Sequence, residues 1–136
     1  EPPAYSVIIF SKNRPFQLHA LLQSIDAFFL EPPANIYVIY TSSDEWNPHY
    51  EAVFEHAAGV VTPVLESDFS NDVEECCSRT PDNGYIMFCV DDLVFYDHVS
   101  MRFVYSYTLE YILIYHHSLS EYISERNNFY IIYVLQ

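Results

Sequence analysis

The amino-acid sequence predicts an α/β protein built on a mostly parallel sheet, and two features indicate this class. Short runs rich in β-branched and aromatic residues alternate with segments of helical periodicity, in the order strand, helix, strand, helix, strand, helix, strand. The fourth run, residues 85–90, is apolar throughout, as suits a strand covered on both faces. Because parallel crossovers are right-handed, we expect three layers, with strand order 3-2-1-4 and helices on both faces.

The first strand and the first helix are predicted from residues 5–29. Residues 5–10 form a β-branched and aromatic run that stops at a polar loop, residues 11–14. Pro15 suits the first position of a helix, and an apolar stripe follows at three- and four-residue spacing. The stripe consists of Leu18, Leu21, Leu22, Ile25, Phe28 and Phe29. The helix is expected to end at residues 31–33, which include two prolines.

The next strand–helix–strand unit follows directly. Residues 36–40 are predicted as the second strand, and the loop after it, residues 41–44, is rich in groups that can bond a ligand. Asn47 is expected to cap the second helix, with Pro48 in its first position and Gly59 just past its end. Its apolar face is expected to consist of Tyr50, Val53, Phe54 and Ala57. Residues 60–65 are predicted as the third strand.

A third helix and the central strand lead to the predicted ligand edge. Residues 68–77 carry acidic side chains in their opening turns, where the helix dipole favours negative charge. Residues 85–90 follow as the central strand, which we expect to deliver Asp91 and Asp92 to solvent at its carboxyl end. Open α/β sheets bind ligands at that edge. Adjacent carboxylates repel each other, so a divalent cation is expected beside them, although the pair alone also fits a solvated acidic turn.

The last part of the chain, residues 98–136, has a less regular pattern. Apolar positions over residues 101–123 fit a helix, which we expect, although alternating aromatic residues within them also fit a strand. Residues 129–135 are apolar and predict a last strand. No linker or repeat interrupts the sequence, so residues 1–136 are expected to form one domain, with self-association through the aromatic tail.

The charge of the chain excludes some partners. Nineteen acidic residues against five basic ones give a formal net charge of -14, which repels nucleic acid and anionic membrane surfaces. No apolar run approaches the roughly 18 residues that a membrane span needs. We therefore expect no nucleic-acid partner and no membrane span.

The cysteines indicate a reducing compartment. The chain has three, and the adjacent pair Cys76 and Cys77 fits neither a metal-ligand spacing nor an even-numbered disulfide framework. We therefore expect a cytoplasmic location. Arg79 is the one cation near this pair in sequence, so a reactive thiol is not expected.

Two of the five basic residues, Lys12 and Arg14, fall in the loop after the first strand. In the 3-2-1-4 order this loop lies beside the end of the fourth strand, so the two cations are expected to meet Asp91 and Asp92. Arg14 offers a planar fork and Lys12 a point charge, the groups that anchor a diphosphate. The alternative is that both are ordinary surface residues.

Two stretches resemble family 2-like glycosyltransferases of the GT-A fold. Residues 5–22, YSVIIFSKNRPFQLHALL, resemble the opening strand, the Asn-Arg loop and the first helix of that fold. Residues 88–97, FCVDDLVFYD, resemble its Asp-x-Asp-type motif, with a short strand expected at residues 93–96. The resemblance covers residues 5–98 and implies a Rossmann-like GT-A fold that is truncated after the Asp-Asp motif.

The resemblance implies a metal-dependent glycosyltransferase that uses a nucleoside diphosphate sugar as donor, with an acceptor that the sequence does not identify. Ser11, Asn13 and Arg14 are implied to lie by the nucleotide, together with Lys12. Asp91 is implied to face the ribose or the sugar. Asp92, with Asp91 beside it, is implied to hold Mn²⁺ or Mg²⁺ at the diphosphate, an arrangement that suits these ions.

The chain departs from the family at two places. After the second strand the family commonly has an acid that contacts the base, and Asp44 is the nearest candidate here. After the motif the family has an acceptor-binding half with a general base, whereas residues 98–136 offer no identifiable base. We therefore expect slow turnover at best, from an incomplete or inactive enzyme.

Two other classes of protein fit the same residues. The first is a degenerate domain that binds a nucleotide or a protein partner without turnover. The second is a phospho-acceptor or flavodoxin-like domain that uses the same strand-end acids. The short strand expected at residues 93–96 and the lack of a lysine on a late strand argue against the second class.

Overall fold

The computed structural model describes residues 4–80, 84–102 and 130–133. Strands and helices alternate along this part of the chain in the predicted order. They are β1 Tyr5–Lys12, α1 Pro15–Phe28, β2 Asn35–Thr41, α2 Asn47–His56, β3 Val61–Leu65, α3 Phe69–Ser78, β4 Tyr85–Val90 and β5 Tyr130–Tyr133.

The five strands form one sheet in the order β3-β2-β1-β4-β5, and every pairing is parallel. The predicted order 3-2-1-4 is confirmed, and β5 lies within the stretch predicted as a last strand. The sheet is Rossmann-like, with the reversal of strand order at β1. A flavodoxin-like domain would instead have the order 2-1-3-4-5, so the strand order argues against that alternative.

Helices cover both faces of the sheet, as predicted. Alternate residues of β1 belong to two separate buried clusters, since successive side chains of a strand point to opposite faces. Val7 and Ile9 pack with residues of α1 and α2, whereas Ile8 packs with Val73 and Cys76 of α3. The result is a three-layer arrangement with α1 and α2 on one side and α3 on the other.

The three helices begin in different ways. α1 begins at Pro15 as predicted, and four leucines and isoleucines of its stripe are buried. The expectation that Asn47 caps α2 is wrong: the cap position is Trp46, and no side chain bonds there. The reason is a turn in which the Trp46 amide donates to the Ser43 carbonyl and starts the helix one residue early. α3 is capped by Asp68, whose carboxylate accepts from the Asn71 amide.

The segment after β4 differs from the prediction. Residues 93–96 form no strand pairing with the described part of the chain, so the short strand expected there is wrong. Instead the segment crosses the end of α1, where the Phe95 amide donates to Ser24 Oγ at 3.1 Å and Val99 forms a parallel bridge with Phe29. Only the first two residues of the helix predicted at 101–123 are described, and the rest lies outside the described ranges. No helix within those ranges is long and apolar enough to cross a membrane.

Candidate functional site

A cleft of about 630 Å³ opens at the carboxyl ends of four neighbouring strands. Its volume falls within the roughly 300 to 1,000 Å³ of small-molecule sites. It lies where the strand order reverses, which is the ligand position in open parallel sheets. The lining residues are Phe10, Ser11, Lys12, Arg14, Ile39, Thr41, Glu66, Val90, Asp91 and Asp92.

The two adjacent acids have different environments, which corrects the expectation that both reach solvent. The side chain of Asp91 is 8% exposed and that of Asp92 is 42% exposed. Cys89 belongs to the α1 and α2 cluster and Phe88 to the α3 cluster, so strand alternation turns Asp91 toward the helices α1 and α2. Asp92 is turned the other way and is left open to the cleft.

Asp91 is held by the end of β1. Its Oδ2 accepts a hydrogen bond from Ser11 Oγ at 2.9 Å and another from the Lys12 backbone amide at 3.3 Å. Charge-assisted bonds of this kind are the stronger ones in proteins. Ser11 and Asp91, which are 80 positions apart, are therefore joined as one unit on the α1 and α2 side of the cleft.

Tyr50 of α2 extends this unit into a chain of hydrogen bonds. Its Oη lies 2.7 Å from Ser11 Oγ and accepts from the Arg14 backbone amide at 2.9 Å. Ser11 has one hydroxyl hydrogen, which it gives to Asp91, so Tyr50 must donate to Ser11. The direction is thus set from Arg14 through Tyr50 and Ser11 to Asp91, with both hydroxyl hydrogens used. The sequence predicted Tyr50 only as part of an apolar helix face, and its phenol oxygen was the one available signal.

Arg14 lies between the two acids, as the strand order predicted. Its Nη1 is 3.7 Å from Asp91 Oδ1 and 3.9 Å from Asp92 Oδ2, and its side chain is 52% exposed. At these distances and this exposure each ion pair contributes little stability, on the order of 0 to 1 kcal/mol. The guanidinium nevertheless offsets the repulsion between the carboxylates, and Arg14 is part of the cleft lining. Lys12 adds a second, exposed cation to the same lining.

Asn13 has a structural role in the same loop. Its backbone φ is +52°, a left-handed conformation that asparagine tolerates better than most residues. Its Oδ1 accepts from the Ser43 amide at 2.8 Å, and its own amide donates to the Thr41 carbonyl at 3.1 Å. The side chain therefore joins the loops after β1 and β2 and does not line the cleft.

Asp44 is an exposed residue of the loop after β2, and the structure does not bring it into the cleft lining. Thr41 and Glu66, which follow from β2 and β3, line that side instead. Sequence reasoning placed Thr41 in a loop able to bond a ligand but missed Glu66. The position of Glu66 directly after a predicted strand was the signal that could have found it.

The side chains of the cleft offer few ligands for a divalent cation. The described residues contain no group of three or more His, Cys, Asp or Glu side chains that could hold a metal ion. Asp91 has already committed Oδ2 to two hydrogen bonds, whereas Asp92 presents an open carboxylate. One carboxylate plus substrate phosphates is a common way to hold Mg²⁺, so the residues fit an ion that arrives with a phosphorylated ligand.

The cysteines contribute no chemistry to the cleft. All three are buried, and burial raises the pKa of Cys76 to about 11 and those of Cys77 and Cys89 to about 12. Such thiols are protonated at neutral pH and are poor nucleophiles. The expectation that none of the adjacent pair is reactive agrees with this burial.

Comparison with known proteins gives no further guide to function. No family model, no curated protein and no solved structure matches the chain. The cleft and its residues are therefore the basis of the functional argument.

Proposed function

We propose that this protein binds a nucleoside diphosphate sugar in the cleft and acts as a metal-dependent glycosyltransferase of GT-A type. The observation that carries the proposal is the contact of Arg14 with Asp91 and Asp92, with Lys12 in the same cleft lining, where the strand order reverses. In a chain of net charge -14, two of five basic residues lie at this one edge. An anionic ligand has few other places where the chain would attract it.

Each charged residue of the cleft has a separate role in this proposal. Arg14 and Lys12 attract the diphosphate, and the hydrogen-bonded Asp91 keeps the Arg14 loop in place. Asp92 would hold Mn²⁺ or Mg²⁺ against the phosphates. Such an ion supplies charge that stabilises the departing nucleoside diphosphate.

A second candidate function is nucleotide binding without turnover. It is favoured because none of the three carboxylates in the cleft lining is placed to act as a general base. These are the carboxylates of Glu66, Asp91 and Asp92. Asp91 is committed to hydrogen bonds, Asp92 is needed for the ion, and Glu66 lies across the cleft at the end of β3. The described lining therefore offers no separate general base for an attacking hydroxyl, which an inverting transfer requires.

The binding step is tested with Asp92→Asn, which keeps the shape of the side chain and removes its charge. Calorimetric titration with nucleoside diphosphates, with and without Mn²⁺, should show metal-dependent heat for the unaltered chain and none for the variant. Asp44→Asn removes another exposed charge, outside the cleft lining, and should behave as the unaltered chain does. Metal-dependent affinity that survives in Asp92→Asn would disprove the role of this residue.

Turnover is tested separately, with nucleotide sugars, Mn²⁺ and mixed acceptors. We expect slow hydrolysis or transfer at best from this chain. Binding without any sugar release would favour the second candidate function. Rapid multiple-turnover transfer would show that a general base is present outside the described lining.

A further inference from the structure

The cleft is polarised along the order of its strands. Asp92 follows β4, Lys12 and Arg14 belong to the end of β1, and Glu66 follows β3. Neighbouring strands lie about 4.8 Å apart, so the ends of β4 and β3 are separated by roughly 14 Å, three strand spacings. Both cations of the lining therefore lie about one strand spacing from Asp92 and about two from Glu66, on the β4 side of the cleft.

The floor between these ends is apolar. Phe10, Ile39 and Val90 line it, and Val90 is 44% exposed even though it ends a central strand. The Phe10 ring is held in place by Phe69 and Phe88, with centroids 5.3 and 5.8 Å away. A flat, uncharged ring system suits such a surface, whereas a phosphate does not.

Glu66 presents an acceptor at the far end of this floor. Its backbone amide donates to the Tyr40 carbonyl at 2.9 Å, which continues the sheet pairing and sets its position. Its carboxylate makes no hydrogen bond or ion pair with the residues that the structure describes, and its side chain is exposed. An ionised carboxylate accepts hydrogen bonds and donates none.

We propose that Glu66 recognises the nucleobase and that the ligand is a guanine nucleoside diphosphate; this inference rests on the proposed function. Asp91 is paired with Arg14, and the divalent ion of the proposed function would offset the charge of Asp92. The diphosphate is then drawn to Lys12 and Arg14 and repelled by Glu66, which orients the base toward β3. Guanine has two adjacent donors, N1–H and the 2-amino group, which match the two oxygens of a carboxylate.

The other common bases match this acceptor less well. Uracil has a single N3–H between two carbonyl oxygens. When the N3–H bonds the carboxylate, the carbonyl oxygens also approach it, and they carry partial negative charge that the carboxylate repels. Adenine and cytosine each place an amino group beside a ring nitrogen that accepts, so one carboxylate oxygen faces a lone pair. A site built to bond particular hydrogens rejects analogues that lack them. A bidentate pair of this kind gives a preference of roughly 10- to 100-fold.

The test is titration of the full chain with GDP, UDP, ADP and CDP in the presence of Mn²⁺. We expect GDP to bind roughly 10- to 100-fold more tightly than the others. Glu66→Gln keeps one acceptor and places a donor opposite guanine, so it should remove the preference for GDP. The amide donor can bond a uracil carbonyl and carries no charge, so UDP should bind at least as tightly to this variant as to the unaltered chain. Glu45→Gln, a matched change at an exposed glutamate outside the lining, should keep the preference.

The possible failures are distinguishable. Equal affinity of the unaltered chain for all four nucleotides, its tighter binding of UDP than of GDP, or an unchanged ranking in Glu66→Gln would overturn the assignment of Glu66 and leave the proposed function standing. An equal loss for all four in Glu66→Gln would place this residue against the ribose and would also overturn it. No binding of any nucleotide would overturn the proposed function, and this inference with it.

Discussion

The hydroxyl of Tyr50 is the least expected part of the site, and Tyr50→Phe isolates its contribution. The residue is 1% exposed, and its ring packs against Tyr40 and Phe54 at centroid distances of 4.9 and 5.9 Å. Phenylalanine keeps this ring packing and removes one oxygen. The Arg14 amide then loses its acceptor and Ser11 loses its donor.

The expected cost follows from those two lost bonds. A buried polar group left without a partner costs about 1 to 3 kcal/mol. Ser11 keeps its bond to Asp91 and loses only the hydrogen that its oxygen accepted, so the partly buried Arg14 amide is the donor left without a partner. We therefore expect Tyr50→Phe to lower the free energy of unfolding by about 1 to 3 kcal/mol. For a chain of this length that is a fall in melting temperature of roughly 3 to 10 °C.

Urea unfolding followed by circular dichroism measures this change. The midpoint should fall while the m value stays constant, since the exposed surface is the same. Tyr40→Phe is the matched control, because Tyr40 packs on the same ring and its hydroxyl makes no hydrogen bond with the described residues. That variant should lie within about 0.5 kcal/mol of the unaltered chain. Equal stability of the two variants would refute the hydrogen-bond chain.

Two further predictions concern ionisable groups away from the cleft. Burial raises the pKa of Cys76 to about 11 and those of Cys77 and Cys89 to about 12. A thiol reagent at pH 8 should therefore label these cysteines only after unfolding. Rapid labelling of the folded chain would contradict their burial. A hydrogen bond from the Met101 amide lowers the pKa of Glu31. The stability that this hydrogen bond adds is complete above the unfolded pKa of Glu31 and is lost as the pH falls through the folded pKa. Glu31→Gln should therefore flatten the acid side of the stability profile measured by urea unfolding. An unchanged profile would argue against this role of Glu31.

Local signals in the sequence were enough for the secondary structure and the sheet order. Apolar periodicity and the helix-start signals predicted the starts of the first two helices to within one residue, whereas each helix ends three residues before its predicted stop signal, at Glu31 or Gly59. Gly59 has a positive φ, +83°, a conformation that glycine adopts readily. The strand order followed because alternating strands and helices leave few right-handed arrangements. The errors fell where a neighbouring segment competed with the local signal, as at Asn47 and at residues 93–96.

The candidate site was predicted only in outline. The strand order brought Arg14 to Asp91 and Asp92, since both loops leave the same edge of adjacent strands. The sequence could not tell that one acid would be buried and the other open, because that depends on which face of the sheet each side chain occupies. It also could not separate Asp44 from Glu66 as the acid that lines the cleft.

The sequence by itself determined the class of fold, the winding of its strands and the edge at which the cleft opens, because these depend on the periodicity of neighbouring residues and on the chirality of crossovers. Only the tertiary structure decided that Tyr50 and Ser11 hold Asp91 and that Glu66 faces the cleft. Those bonds join residues 39 and 80 positions apart, and their geometry exists only once the helices have packed on the sheet.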